Sequence, residues 1–132
     1  MKISRSTSYA ILAVGYVAQN QDEGIVLSQT IAKKYNIPLE YLLKILQQLV
    51  RANILRSKRG PRGGFSLAKT PSKISMLQII EAVEGPMEAK MELGRKAKRE
   101  KFCSKASKAY DKAIKQARSV FEKTKVSTLM RK

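Results

Sequence analysis

Residues 38–52 carry two side-chain patterns on one helical period. Leu42, Leu46, Leu49 and Val50 form an apolar stripe, while Glu40, Lys44, Gln47, Gln48 and Arg51 recur on another face. A segment built this way must lay one face on a core and leave long polar side chains outside. Pro38 fits its first turn, where a missing N–H costs nothing. Just before it, Ser28 has the form of an N-cap for a short helix through Tyr35, with Ile31 and Ala32 facing inward and Asn36 closing it. Two helices joined by a short turn, the second presenting polar side chains, is the helix-turn-helix arrangement. The same pattern also fits an ordinary amphipathic helix whose polar face meets only water.

The flanking segments narrow the choice. A first helix is expected over about Ser6–Gln19, and Ile25–Leu27 reads as a short strand. Ile54–Arg59 and Phe65–Lys69 are two further strand segments, joined by Gly60-Pro61-Arg62-Gly63-Gly64, which reads as a hairpin loop. This loop follows a strand but opens no helix and lacks the GK[ST] ending of a nucleotide-binding phosphate loop. No acidic residue occurs between Glu40 and Glu81, whereas Lys44, Arg51, Arg56, Lys58, Arg59, Arg62, Lys69 and Lys73 do. A glycine-rich basic tip lets the backbone approach a phosphate chain and lets an Arg enter a narrow minor groove. Helix-turn-helix followed by basic hairpin is a winged helix.

Charge points the same way. Lys and Arg number 27 against 10 Asp and Glu in 132 residues, a formal charge of +17, which calls for a polyanionic partner. With no His and one Cys, the chain has no zinc finger, catalytic triad or multi-Cys metal site, and no enzyme is expected. Cys103 cannot pair within the chain, which suits a reducing cytoplasm. The apolar stretch Tyr9–Ala18 is too short to span a bilayer and reads as a core helix. Residues 90–132 hold 15 basic and 4 acidic side chains, against 12 and 6 in residues 1–89, so a boundary is expected near Gly85-Pro86.

At MKISRSTSYAILAV, IPLEYLLKILQQLVRANIL, SKRGPRGGFSLAK and ISMLQIIEAVEGP the sequence resembles the Rrf-two family of bacterial winged helix-turn-helix transcription regulators. The resemblance implies a mainly α fold with a small β wing and a long C-terminal dimerisation helix. It implies a DNA-binding domain over residues 1–85, a counterpart of the family's sensory loop over 86–101, and the dimerisation helix with its tail over 102–132. It also implies a homodimer on a partly palindromic site in double-stranded DNA, third helix in the major groove and wing in the minor groove. Carried over residue by residue, Glu40, Tyr41 and Lys44 meet the major groove and Arg59 and Gly60 the minor groove. Ser28, Gln29, Pro61, Arg62 and Gly63 lie along the DNA backbone. Leu43 stands where some members carry a polar base reader; it packs a thymine methyl or contacts no base. The Arg-Tyr pair of several members is Ser8-Tyr9 here, so that Arg's phosphate contact has no counterpart.

Many relatives hold an iron–sulfur cluster on three Cys after the EGP stretch and a fourth ligand. Cys103 matches the last Cys; the other positions are Met91 and Ala97, and Ala106 stands where some members place a His. Three of four ligand positions thus lack Cys or His, and a cluster normally needs four ligands. No cofactor and no metal are expected. Cys103 has two readings, a redox-reactive thiol between Lys101 and Lys105 or a small buried hydrophobe.

In the C-terminal helix Tyr110, Ile114, Ala117 and Phe121 form an apolar stripe that needs a partner, from a second subunit or the winged domain. Lys105, Lys108, Lys112, Lys115, Arg118, Lys123 and Lys125 are either a solvated surface or an added attraction for DNA. The expected function is a sequence-specific regulator, a repressor by promoter occlusion, answering to a small-molecule or protein effector. The alternatives are a nonspecific architectural DNA-binding protein and a regulator dependent on a partner protein. No membrane association is expected.

Overall fold

The computed structural model describes residues 2–60, 63–88 and 91–131. Along them run α1 (Arg5–Gln19), β1 (Val26–Leu27), α2 (Ser28–Tyr35), α3 (Leu39–Arg51), β2 (Leu55–Lys58), β3 (Gly64–Leu67), α4 (Met76–Glu84), α5 (Gly94–Lys98), α6 (Lys101–Lys123) and α7 (Val126–Leu129).

Helix α1 starts where the Ser4 hydroxyl accepts the Thr7 N–H at 3.2 Å, satisfying one of the free donors of the first turn. Its buried side chains, Ala10, Ala13, Val14 and Val17, keep helical spacing and are small, so α3 and α4 both pack against it. Helix α2 ends at Asn36, whose left-handed backbone (φ 53°) suits Asn better than most residues. Its start differs from expectation: Leu27 is the N-cap and Ser28 is the first helical residue. The Ser28 side chain is buried and its Oγ has no hydrogen-bond partner, so it caps nothing.

Pro38 is the N-cap of α3. The buried stripe is wider than the sequence pattern, comprising Leu42, Leu43, Ile45, Leu46 and Leu49, with Val50 only half-buried at its edge. The three strands form an antiparallel sheet in the order β1-β3-β2. Phe65 sits between Val26 and Ser57 and is buried, which ties the wing to the helical core. The strands are shorter than expected: Ile25 and Ile54 fall outside, and the positive φ of Arg59 (65°) ends the ladder after Lys58.

A reciprocal capping box opens α4. Ser75 Oγ accepts from the Gln78 N–H at 3.1 Å and Gln78 Oε1 accepts from the Ser75 N–H at 2.8 Å. Gly85, at φ 85°, closes it. The turn at the charge boundary does not separate two bodies, because α6 packs back on α4. Residues 86–101, expected as a loop, contain α5. The tail also returns: the Met76 N–H donates to Thr124 and the Val126 N–H to Ile74, both at 2.8 Å, and Val126 joins the core of the winged domain.

Helix α6 has two apolar faces where the sequence suggested one. Tyr110, Ile114 and Phe121 border a cavity with Ile80, Gly85 and Met87, so that stripe is turned to its own chain. Arg118 on the same side lies 3.8 Å from Glu81. A second stripe, Phe102, Ala106, Ala109, Ala113 and Val120, also keeps helical spacing. It is uncovered: Phe102 is 82% and Val120 60% exposed.

Candidate nucleic-acid interface

With the apolar side of α3 sealed against α1 and α4, its polar side is left outward. Glu40, Tyr41, Lys44, Gln47 and Arg51 are exposed, spaced along one face of the helix. Tyr41 is fixed at both ends. Its hydroxyl hydrogen-bonds the Ser6 hydroxyl, and its ring meets Tyr9 edge-on at 5.7 Å between centroids. A shallow groove runs along this face between the start of α1 and α3, lined by Ser6, Tyr41, Lys44, Gln47, Gln48 and Arg51. Ser6 was not among the sequence-derived site residues. Gln47 and Arg51 were legible as the polar face of the helix but not as its groove. Leu43 is buried at 6% exposure and belongs to the core cluster.

The wing lies one element further along the chain. Arg56, Lys58 and Arg59 are exposed on β2 and at its end. Arg59 and Gly60 both take positive φ, 65° and 80°, so the chain turns left-handed at the loop's entrance. The Gly63 N–H closes the loop on the Gly60 carbonyl at 3.1 Å. Two glycines here are steric requirements. A Cβ on Gly63 would stand 2.2 Å from the Lys58 carbonyl oxygen, and one on Gly64 would stand 1.4 Å from Ile25 Cγ2. Pro61 and Arg62, at the tip, lie outside the described residues.

Of the two residues expected at the start of α2, Gln29 is exposed but Ser28 is buried. The Ser28 side chain is turned into the fold, and its Oγ has no hydrogen-bond partner there. Among the described residues, Lys44, Arg51, Arg56, Lys58 and Arg59 form no ion pair within the chain. Beyond Glu40, no acid occurs on the chain until Glu81, so the α3 face from Lys44 onward and the described wing residues are basic, and Gln47 and Arg51 share a groove with Ser57 and Phe65 at the base of the wing.

The family's cluster position does not fit its group. Cys103 is half-buried in the first turn of α6, with Glu100 Oε2 3.9 Å from its Sγ. Met91 and Ala97 offer neither thiolate nor imidazole, and among the described residues no group of three His, Cys, Asp or Glu side chains could hold a metal ion. Nor is Cys103 packed away as a buried hydrophobe in the single chain. No described helix is long and apolar enough to cross a membrane.

Comparison with known proteins places this geometry. The family model of Rrf2, described as iron-dependent transcriptional regulators, matches residues 3–132. The transcriptional regulator IscR of Aliivibrio salmonicida is 34% identical over 89 residues, covering 67% of this chain and 53% of that protein. The chain spans a little over half the length of such curated relatives. Among solved structures, CymR, the global cysteine regulator of B. subtilis, superposes with a TM-score of 0.82 at 25% identity, covering 98% of this chain and 95% of that one. IscR of T. potens follows at 0.77 and 25% identity, covering 98% and 86%. With the family model matching nearly the whole chain, the chain belongs to the Rrf2 family of transcriptional regulators.

Proposed function

We propose that this chain is a sequence-specific DNA-binding regulator that works as a homodimer and represses by occluding a promoter. Helix α3 enters the major groove with Tyr41 and Lys44, and the wing brings Arg59 and Gly60 to the minor groove. Gln29, Arg62 and Gly63 follow the phosphate backbone. The observation that carries the reading is the set of exposed basic side chains on α3 and the described part of the wing, Lys44, Arg51, Arg56, Lys58 and Arg59, none of which has an ion pair among the described residues. Counterion release from its Lys and Arg supplies affinity, and side chains on base edges supply choice. The uncovered Phe102–Val120 stripe supports the dimer, since an exposed apolar ridge of that length is buried at low cost by its own copy. The protein works without an iron–sulfur cluster, because one thiol per subunit cannot replace four ligands. As a family of transcription regulators implies, it is not an enzyme and acts in the cytoplasm.

The reading is tested by selecting bound duplexes from a random pool and comparing the affinity of the selected sequence with that of random DNA at physiological salt. A specific regulator gives a ratio of roughly 10³ or more. A ratio near one identifies an architectural DNA-coating protein instead.

A further inference from the structure

The lysines of α6 are not scattered over its polar surface. Lys101, Lys105, Lys108, Lys112 and Lys115 step by four, three, four and three residues, which keeps them on one helical face. At about 1.5 Å rise per residue the row is about 21 Å long, with a charge every 4.5–6 Å or so. All five are exposed, and none has an ion pair among the described residues. Asp111 lies beside the row and pairs with none of them, while Glu122 is taken by Arg118 at 3.8 Å. Arg118 and Lys125 do not belong to the row, for Lys125 Nζ donates to the Glu122 carbonyl at 2.9 Å.

Each neighbouring pair in this row is a like-charge pair at helical contact spacing, which weakens a helix that water alone surrounds. A row of this kind is stabilised by an anion of matching length. Its position also separates it from the surface already described. Helix α6 reaches the body through α4, using the Tyr110, Ile114 and Phe121 side, whereas α3 turns its polar side away from α1 and α4. The lysine row lies about 150° round α6 from the side that meets α4 and about 100° from the Phe102 stripe, so a partner subunit on that stripe leaves it open.

We infer that the lysine row of α6 is a second duplex-DNA backbone contact, independent of sequence and of the α3–wing surface. This rests on the reading of duplex DNA as the partner. The row's occupant is a phosphate chain because the row is long, evenly charged and nearly free of apolar side chains; the helix's apolar stripes lie elsewhere, which disfavours a membrane surface.

The test uses the full chain and a random-sequence 40-base-pair duplex, read by fluorescence anisotropy across a salt series. The variants are a quadruple row variant (Lys105→Gln, Lys108→Gln, Lys112→Gln, Lys115→Gln), the same four positions as Arg, and an interface variant (Lys44→Ala, Arg59→Ala). Gln is about as good a helix former as Lys, so far-ultraviolet dichroism should be unchanged. The interface variant should keep residual binding, with a slope of log K against log salt of about −3 to −4. Adding the Gln substitutions should weaken that binding and flatten the slope by about 3 to 4, and the Arg substitutions should keep both. If the Gln substitutions alter neither affinity nor slope in either background, the row is a solvated surface and the inference fails while the α3–wing reading stands. If they abolish all binding by themselves and the interface variant binds like wild type, the row is the DNA site and the α3–wing reading fails instead. If they leave duplex binding intact but release the protein from phosphatidylglycerol vesicles, the inference is overturned in favour of a lipid surface.

Discussion

The backbone N–H of Val126 donates to the carbonyl of Ile74 at 2.8 Å, across 52 positions of sequence. Ser75 and Lys125 form the accompanying antiparallel bridge, and the Val126 side chain is 3% exposed within the winged-domain core. The tail therefore anchors the C-terminal end of α6 beside the start of α4. Val126→Ala removes two methylene equivalents from a packed site and should cost about 2 kcal/mol of unfolding free energy. Val126→Asp, which buries an unpaired charge, should cost more. Urea unfolding checks this; a Val126→Ala midpoint equal to wild type would mean that the tail is not part of the cooperative core.

Gly64 and Ile25 are fitted to each other at the base of the wing. A methyl on Gly64 would overlap Ile25 Cγ2, at 1.4 Å, and its backbone pairs with both β1 and β2. Gly64→Ala should destabilise the fold by about 1–3 kcal/mol, the usual cost of overpacking. Ile25 is 42% exposed, so Ile25→Ala alone is mild, and the double variant should recover part of the loss, because the Cβ at position 25 would still stand 2.9 Å away. Strictly additive losses in thermal melts would assign the cost of Gly64→Ala to backbone strain instead. Gly63→Ala offers no such rescue, because its clash is with the Lys58 carbonyl oxygen.

Arg59 combines a charge with a left-handed backbone (φ 65°), and the two contributions can be parted. Arg59→Ala should lose roughly 1–3 kcal/mol on the selected duplex and less on random DNA, if the side chain reads a groove. Arg59→Gly relieves the backbone and removes the same charge, so it should bind like Arg59→Ala while unfolding no more easily than wild type. Equal losses of Arg59→Ala on selected and random duplexes would reduce its role to a phosphate contact.

Glu84 ties the end of α4 to the start of α1. It accepts the Ser4 N–H at 3.2 Å and the Thr7 hydroxyl at 2.6 Å. The Ser4 side chain first and the Thr7 hydroxyl second hold its pKa below the ordinary value of 4.5, against the smaller opposing effect of burial, and the Ser4 N–H adds least. A carboxyl depressed in the folded state stabilises the fold above its unfolded value and loses that contribution as pH falls through its folded value. Thermal stability should therefore drop as pH is lowered past about 4.5, and Glu84→Gln should flatten that part of the profile. Superimposable profiles for the two proteins would show that this contact does not contribute.

The parts legible in the sequence were those where one local pattern has one structural outcome. Leu42, Leu46 and Leu49 recur at helical spacing beside Lys44 and Arg51, so the face of α3 could be read without any partner. The wing was legible because Gly and Pro punctuate it, although that pattern could not show that Gly64 is required by Ile25. Ser28 misled because a serine before a helical pattern looks like a cap; burial by surrounding elements, invisible locally, decided otherwise. Val126 gave no signal, since a short Val-Ser-Thr-Leu run does not announce a contact with Ile74. In α6 the Tyr110 and Phe102 stripes overlap on one helical period, and only the position of α4 decides which of them stays uncovered.

That uncovered stripe yields the last prediction. Phe102 is 82% and Val120 60% exposed, and Ala106, Ala109 and Ala113 between them permit close approach of a second helix. If two copies pair here, Phe102→Glu places a charge in the seam of each subunit without touching the core of its own fold. Sedimentation velocity should then show wild type as a dimer at micromolar concentration and Phe102→Glu as a monomer, with the same far-ultraviolet spectrum. Affinity for a palindromic duplex should fall with dimerisation, because each half-site is then held by an independent subunit. A single half-site should be bound equally by both proteins. Should Phe102→Glu remain a dimer, the seam lies elsewhere and the stripe needs a different partner.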